Sequence, residues 1–300
     1  MRPDWIAVDW GTTHLRVWAM GPEGIRAEAT SDNGMSRLSR AGFEPALLGL
    51  IELWLSGPPI PVLACGMVGS RQGWHEAPYR TVPCKPLLAG ALAAVPVKDK
   101  RITLQIAPGL KQVRPADVMR GEETQIAGAL ALHPGFDGIF CLPGTHSKWV
   151  QISAGEVVSF QTYLTGEMFA LLSQQSVLRH GMTSEVWDDD AFDQGVADGM
   201  ARPERIAAHL FRLRAEGLIA DLSPSAARSR LSGLLIGTEL AAAKPYWLGT
   251  RVILVGSAAI SGLYARALSQ QGLETETLPA KDCTIAGLAL AAGALTKAAE

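Results

Sequence analysis

Residues 6–16 read IAVDWGTTHLR, an apolar run ending in Asp9, a small-residue turn, and an alternating return over residues 15–19, LRVWA. Strand, tight turn, strand is a β-hairpin. Gly11 lets the backbone approach a ligand closely, and successive N–H groups in such a turn form an anion-binding concavity. The Thr12 and Thr13 hydroxyls add donors suited to phosphate oxygens. Asp9 stands where a carboxylate holds Mg²⁺, usually through water, beside those phosphates. Taken alone, an ordinary hairpin with an aspartate near its turn explains the stretch equally well.

A second stretch shifts that balance. Residues 138–152, GIFCLPGTHSKWVQI, repeat the grammar: an apolar strand, a turn of Gly144, Thr145, His146 and Ser147, then an alternating strand that Lys148 opens. Two such hairpins, one opening the chain and one near its middle, predict a duplicated α/β fold with a phosphate chain gripped between the copies. A third stretch, residues 252–267, VILVGSAAISGLYARA, reads as strand, Gly256-Ser257 turn and helix. It suits a loop at a helix N-terminus set against a nucleotide.

Three hundred residues suit two domains. A hydrophobic share of 48% with 19% charged residues describes a soluble globular chain with ample core. The net charge of −2 gives no electrostatic case for nucleic acid or an anionic membrane. A homo-oligomer is compatible with this composition and not required by it. Cys65, Cys84, Cys141 and Cys283 lie far apart with no C-x-x-C pair, as expected for buried thiols in a reducing compartment. The chain runs directly into a strand, and the Ala/Gly/Leu-rich residues 285–295 are too short to span a bilayer, so the expected location is cytoplasmic.

Between these motifs the chain alternates strands and helices. A third antiparallel strand is expected over residues 25–29, and the turn cluster at 31–34 can serve as a substrate-side loop. A helix over 44–55 stops at Ser56-Gly57-Pro58-Pro59, and a parallel strand follows at 61–65. The loop at 66–79, GMVGSRQGWHEAPY, then lies beyond that strand's carboxyl end, where ligands gather in open α/β sheets. It offers Ser70, Arg71, Gln72, Trp74, Glu76 and Tyr79; Arg71 is the first choice to receive a carboxylate, because its fork matches one bidentately. A surface loop whose Trp74 plugs a core gap is the plain alternative. Residues 102–107 read as a strand, 108–115 as a turn-rich connection, and 122–132 as an Ala-rich helix. Glu122 and Glu123 open that helix, where the dipole favours acids; adjacent helical residues point about 100° apart, so one at most faces a ligand. Arg16 and Arg120 are further candidates on the substrate side.

Residues 133–136, HPGF, break this helix, dividing the chain into residues 1–134 and 135–300. Thr165 reads as the N-cap of the next helix, with Thr165 and Glu167 as weaker site candidates. The acidic run WDDDAF at 187–192 reads as a solvated helix start rather than a metal site. Helices are expected at 203–215, at 224–244 with interruptions at Gly233 and Gly237, and at 280–298, with strands at 249–256 and 273–278. The last helix, rich in Gly and Ala, is expected to pack at the domain junction, back on the N-terminal domain.

The strings VDWGTTHLRVW (8–18), GMVGSRQGWHEAPY (66–79), RGEETQ (120–125), LPGTHSKWV (142–150) and LTGEMFALLSQQSVLR (164–179) run through most of the chain. Together with the VGS turn they resemble the sugar-kinase, actin and heat-shock ATPase superfamily and, within it, the 2-dehydro-3-deoxygalactonokinase family. The first and fourth strings specify only the superfamily; the second and fifth are more particular. The resemblance implies two ribonuclease-H-like domains flanking a nucleotide cleft, with ATP and Mg²⁺ as cofactors. The implied reaction is phosphorylation of the 6-hydroxyl of 2-keto-3-deoxygalactonate. Gly11, Thr12, Thr13, Gly144, Thr145, Ser147 and Lys148 would hold the phosphates, and Gly256 and Ser257 the adenosine. Asp9 would position the metal, while Glu122, Glu123 or Asp9 would act as base. His14 departs from the Asn or Ser of many such kinases and takes no assigned role. Rival readings are a kinase of a neighbouring sugar acid, a phosphohydrolase on the same scaffold, and a non-catalytic sensor.

Overall fold

The opening hairpin pairs β1 (Trp5–Trp10) with β2 (Leu15–Gly21), and β3 (Gly24–Ser31) returns on β2. The computed structural model describes residues 2–297. α1 (Phe43–Ile51) carries the chain to β4 (Ile60–Gly66), parallel to β1. The helix expected to reach residue 55 stops at Ile51 and tightens into a 3₁₀ turn over Glu52–Trp54. β5 (Tyr79–Thr81), β6 (Ala93–Val95), β7 (Ile102–Ile106), β8 (Gly109–Gln112) and β9 (Asp117–Met119) follow, and α2 (Glu122–Leu132) ends the run. The segment expected as a turn-rich connection thus holds a strand: β8 pairs with β5 and β9 in a small sheet of its own. β8 and β9 form a short local hairpin, but with only four and three residues and Pro108 and Pro115 beside them they leave no alternating run long enough to read as strands.

The main sheet of this unit has the order β3-β2-β1-β4-β7-β6. β1 and β4 lie in its interior with helices on both faces, so both are apolar on successive residues rather than alternating. Ile6, Val8 and Trp10 face the Phe43, Leu47 and Ile51 stripe of α1. Ala7, Leu63 and Cys65 face the opposite way.

β10 (Gly138–Leu142), β11 (Ser147–Ser153) and β12 (Glu156–Tyr163) form the second meander, turned between β11 and β12 by Ala154 and Gly155 at positive φ. Then come α3 (Thr165–Gln174), α4 (Asp189–Ala201), α5 (Ile206–Ile219), α6 (Pro224–Ala242) and α7 (Lys244–Trp247). β13 (Val252–Gly256), α8 (Ala258–Ser269), β14 (Glu276–Pro279) and α9 (Ala280–Lys297) complete the chain. Ala298, the last position of the expected final helix, lies outside the described residues. The second sheet runs β12-β11-β10-β13-β14, with β10, β13 and β14 parallel. Its order, three antiparallel strands followed by parallel ones, repeats that of β3-β2-β1-β4-β7.

By contact density the described chain divides into residues 2–136, 153–159 and 280–297 as one unit, and 137–152 with 160–279 as the other. In the first, α9 lies on α2 so closely that a Cβ on Gly128 would stand 1.8 Å from the Cys283 carbonyl oxygen. In the second, Gly233 and Gly237 do not interrupt α6, which is continuous. They are where α6 meets α4: a Cβ on Gly233 would lie 2.1 Å from the Phe192 carbonyl oxygen. The acidic run is a helix start, with Asp188 accepting the Ala191 N–H as N-cap.

Candidate functional site

The first hairpin turn is held from behind by its own following loop. Gly11 N–H donates to the His14 carbonyl at 2.9 Å and closes the turn. The Gly11, Thr12 and Thr13 carbonyls accept from the N–H groups of Met35, Ser36 and Gly34 at 3.0, 3.0 and 3.2 Å. Only glycine fits at position 34, where a Cβ would lie 2.2 Å from the Thr13 carbonyl carbon. With those carbonyls engaged from one side, the Thr12 and Thr13 side chains stand exposed at the tip. His14 Nδ1 pairs with Asp32 at 3.1 Å.

Asp9 ends the strand before that turn. Its Oδ2 accepts from Arg16 Nη1 at 2.9 Å across the β1–β2 register. Burial pushes the Asp9 carboxyl above the ordinary carboxylate range, and Arg16 draws it part of the way back. Arg16, a substrate-side candidate, is thereby tied to Asp9. Two positive-φ glycines bring α2 to the same corner. A Cβ on Gly66 would lie 2.6 Å from the Trp10 carbonyl oxygen, and one on Gly121 3.2 Å from Gly66 Cα. Asp9, Glu122 and Glu123 are therefore gathered: the buried Cys65 thiol is pushed up by desolvation and then by the charges of Asp9, Glu123 and Glu122.

Both glutamates turn back on the helix start. Glu122 accepts from the Arg120 N–H at 3.0 Å. Glu123 accepts from the Gly121 N–H at 2.7 Å and the Thr124 hydroxyl at 3.0 Å. Glu123 is fully buried, and desolvation with the neighbouring Glu122 charge pushes its carboxyl up to about 8. Glu122 is the more exposed of the two.

The candidates of the 66–79 loop separate into two sets. Arg71 and Glu76 point to solvent and pair at 3.6 Å, with Gln72 also exposed. Trp74 packs into the core against Trp10 and Phe43, with ring centroids at 6.2 and 6.3 Å, which is the plugging role rather than an open aromatic wall. Ser70, Tyr79 and Arg120 lie inward. The Arg120 guanidinium sits 4.3 Å over the Tyr79 ring and donates through Nη2 to the Ala77 carbonyl at 2.8 Å. Its Nε and Nη1, and the Ser70 hydroxyl, are buried without a hydrogen-bond partner among the described residues.

In the other unit, Gly144, Thr145 and His146 are exposed at the tip of the second hairpin. Thr145 O accepts the Glu167 N–H at 2.9 Å, and a Cβ on Gly166 would lie 2.3 Å from the Gly144 carbonyl oxygen, so the first turn of α3 backs the hairpin directly. His146 Nε2 meets Glu167 at 2.5 Å. Lys148 is buried and donates to the His146 carbonyl at 3.3 Å. Thr165 is the first helical residue rather than the N-cap, which is Leu164; its hydroxyl donates inward to Glu239. Ser147 donates to the same carboxylate at 2.7 Å. Both hydroxyls are committed to the interior because Glu239, buried on α6, requires donors. Nothing in the sequence marked Glu239, which stands in an unremarkable GTEL run in mid-helix.

Beside this hairpin opens a cavity of about 290 Å³, lined by Gly144, Thr165, Phe169, Trp187, Arg228 and Leu263 among others. Ser257, exposed, precedes α8, whose Ile260 and Leu263 form part of that wall. Arg228 lies 5.2 Å over the Phe169 ring; Arg230 instead pairs with Glu216 and Asp198. Among the described residues no three His, Cys, Asp or Glu side chains gather as a metal cage, and no helix is long and apolar enough to cross a membrane.

Two meander-plus-parallel sheets, each led by a Gly-Thr hairpin, define the class: the two-domain actin-like fold of sugar kinases and related ATPases. Residues 9–291 match the family described as 2-keto-3-deoxy-galactonokinase, and the chain belongs to that family. It is 38% identical to the probable 2-dehydro-3-deoxygalactonokinase DgoK1 of Rhizobium meliloti (strain 1021), with 97% of each chain covered. It is 33% identical to the 2-dehydro-3-deoxygalactonokinase of Escherichia coli (strain K12), covering 96% of this chain and 97% of that one. A crystal structure of a 2-dehydro-3-deoxygalactonokinase protein from Sinorhizobium meliloti, described there as putative, superposes with a TM-score of 0.91 at 37% identity, covering 97% of this chain and 99% of the other.

Proposed function

We propose that this chain transfers the γ-phosphoryl group of ATP to the 6-hydroxyl of 2-dehydro-3-deoxy-D-galactonate, giving 2-dehydro-3-deoxy-6-phosphogalactonate and ADP in galactonate catabolism. The observation that carries the reading is family membership over residues 9–291, joined to a Gly-Thr hairpin in each sheet and a carboxylate cluster beside the first. Each hairpin tip, Thr12 and Thr13 in the one unit and Gly144 and Thr145 in the other, exposes groups of the kind that bind phosphate oxygens, and Lys148 adds charge beside the second. On this reading the cavity lined by Phe169, Trp187 and Arg228 would receive the base, and Gly256 and Ser257, just before α8, would approach the adenosine.

The acceptor oxygen forms a bond to the γ-phosphorus as the bond to the ADP oxygen breaks, and the hydroxyl proton passes to one ionised carboxylate of the group Asp9, Glu122 and Glu123. Asp9 suits Mg²⁺ as a partner through water, since this ion keeps several waters and needs only one or two carboxylates beside phosphates. Held there, the ion would supply neutralisation of phosphate charge. On the substrate side, Arg120, Ser70 and Tyr79 form the inner set and Arg71, Gln72 and Glu76 the outer, with Trp74 bracing the loop, while Thr165 and Glu167 hold the second hairpin. The protein is read as cytoplasmic, with a small sugar acid as its partner.

A coupled ADP-release assay across 2-keto-3-deoxy sugar acids tests this. Turnover with the galactonate derivative above its epimers is expected. ADP release of equal rate with no acceptor present would replace the kinase with a phosphohydrolase, and no release with any acceptor would leave a sensor.

A further inference from the structure

Glu239 has no part in the reading above, yet four side-chain hydrogen bonds converge on its carboxylate. Only 3% of the residue is exposed. Its Oε2 accepts from the hydroxyls of Ser147, at 2.7 Å, Tyr264, at 2.7 Å, and Thr165, while its Oε1 accepts from Trp149 Nε1 at 2.8 Å. The donors belong to three elements: β11, the return strand of the second hairpin; α3, whose first turn backs that hairpin; and α8, which follows β13. Two of them, Thr165 and Tyr264, also line the cavity beside Gly144.

We propose that Glu239 is the positioning residue of the nucleotide half-site: from beneath, it fixes the second hairpin turn, the start of α3 and the cavity wall in one geometry, touching no ligand itself. A carboxylate suits this place because each oxygen accepts on several sides, whereas an amide offers one oxygen. A glutamine whose oxygen faced the three hydroxyls would set its NH₂ against the Trp149 N–H. The flipped amide would set NH₂ against the hydroxyls instead. Either way a buried donor loses its partner, and the elements must shift to regain one. The backbone contacts Glu167 N–H to Thr145 O and Gly166 against Gly144 transmit that shift to the hairpin tip. Burial pushes the Glu239 carboxyl up, and its four hydrogen bonds draw it part of the way back.

The proposal rests on the reading of Gly144 and Thr145 as phosphate ligands, so the test carries Thr145→Ala as a separate arm. Glu239→Gln is expected to raise the KM for ATP and the Kd for ADP about tenfold, the loss expected from one disrupted hydrogen bond to a charged group, while the KM for the sugar acid stays within about twofold. Tyr264→Phe, which keeps the ring and removes one donor, is expected to shift the same two constants in the same direction by less, and it decides the matter if Glu239→Gln does not fold. Unchanged nucleotide constants in the variants, with only a lower melting temperature, would make Glu239 a fold-stabilising residue and overturn the proposal. An equal loss for both substrates would overturn it too. If Thr145→Ala raises the KM for ATP and the other variants do not, only the Glu239 role fails. If Thr145→Ala also leaves it unchanged, the nucleotide reading of this hairpin fails and the proposal falls with it.

Discussion

A fully buried carboxyl beside a second carboxylate holds its proton more tightly folded than unfolded, and Glu123 is in that position, raised from 4.5 to about 8. Because the folded value is the higher one, the stabilisation it contributes is complete below pH 4.5 and is lost as pH rises through about 8. Denaturant midpoints of the wild type are therefore expected to fall between these two values. Glu123→Gln, which can still accept from Gly121 N–H and turn its NH₂ to Thr124, is expected to flatten part of that slope. Identical slopes in both proteins would show that Glu123 does not titrate in this window. The residue types at this corner were legible in the sequence, since a DWGTT turn and an EE helix start advertise their chemistry. Their partners were not. Ser147 and Thr165 read as a phosphate ligand and a helix cap because the acceptor that claims both, Glu239, lies 92 and 74 residues further along the chain.

Among the elements, both hairpins, α2 and the VGS strand-turn-helix stood out because each is set by local pattern, apolar runs closed by small-residue turns. What local pattern misread was glycine inside helices. Gly233 and Gly237 looked like breaks and are close-contact positions, since a helix keeps its backbone bonds through glycine when tertiary packing offsets the lost propensity. Gly128 on α2 is the same device in the other unit, facing the Cys283 carbonyl of α9. Gly128→Ala has no room for its methyl group, so α2 and α9 must separate, at a cost of about 1–3 kcal/mol by the usual penalty for overpacking. Urea unfolding checks this, and a change within about 0.5 kcal/mol, typical of a surface substitution, would show that the two helices do not meet at this glycine. Because α2 carries Glu122 and Glu123 at its other end, the same variant is expected to lower turnover as well.

At the scale of the whole chain, strand order is what the sequence could only imply. The repeated grammar suggested duplication, and the two sheets carry it out with matching order, β3-β2-β1-β4-β7 and β12-β11-β10-β13-β14, although few residues coincide between the two stretches. The contact units were less legible: residues 153–159 group with the first unit although the chain has by then entered the second. Such groupings depend on pairings distant in sequence, which composition and periodicity do not encode. The central claim, that this duplicated scaffold moves a phosphoryl group onto a terminal hydroxyl, is tested most directly by phosphorus NMR of a reaction holding protein, ATP, Mg²⁺ and 2-dehydro-3-deoxy-D-galactonate. The account predicts a new phosphomonoester resonance, split into a triplet by the two protons of the C6 methylene, growing as the γ-phosphate signal of ATP declines. Loss of ATP to inorganic phosphate alone, or an ester coupled to a single ring or chain proton, would contradict it.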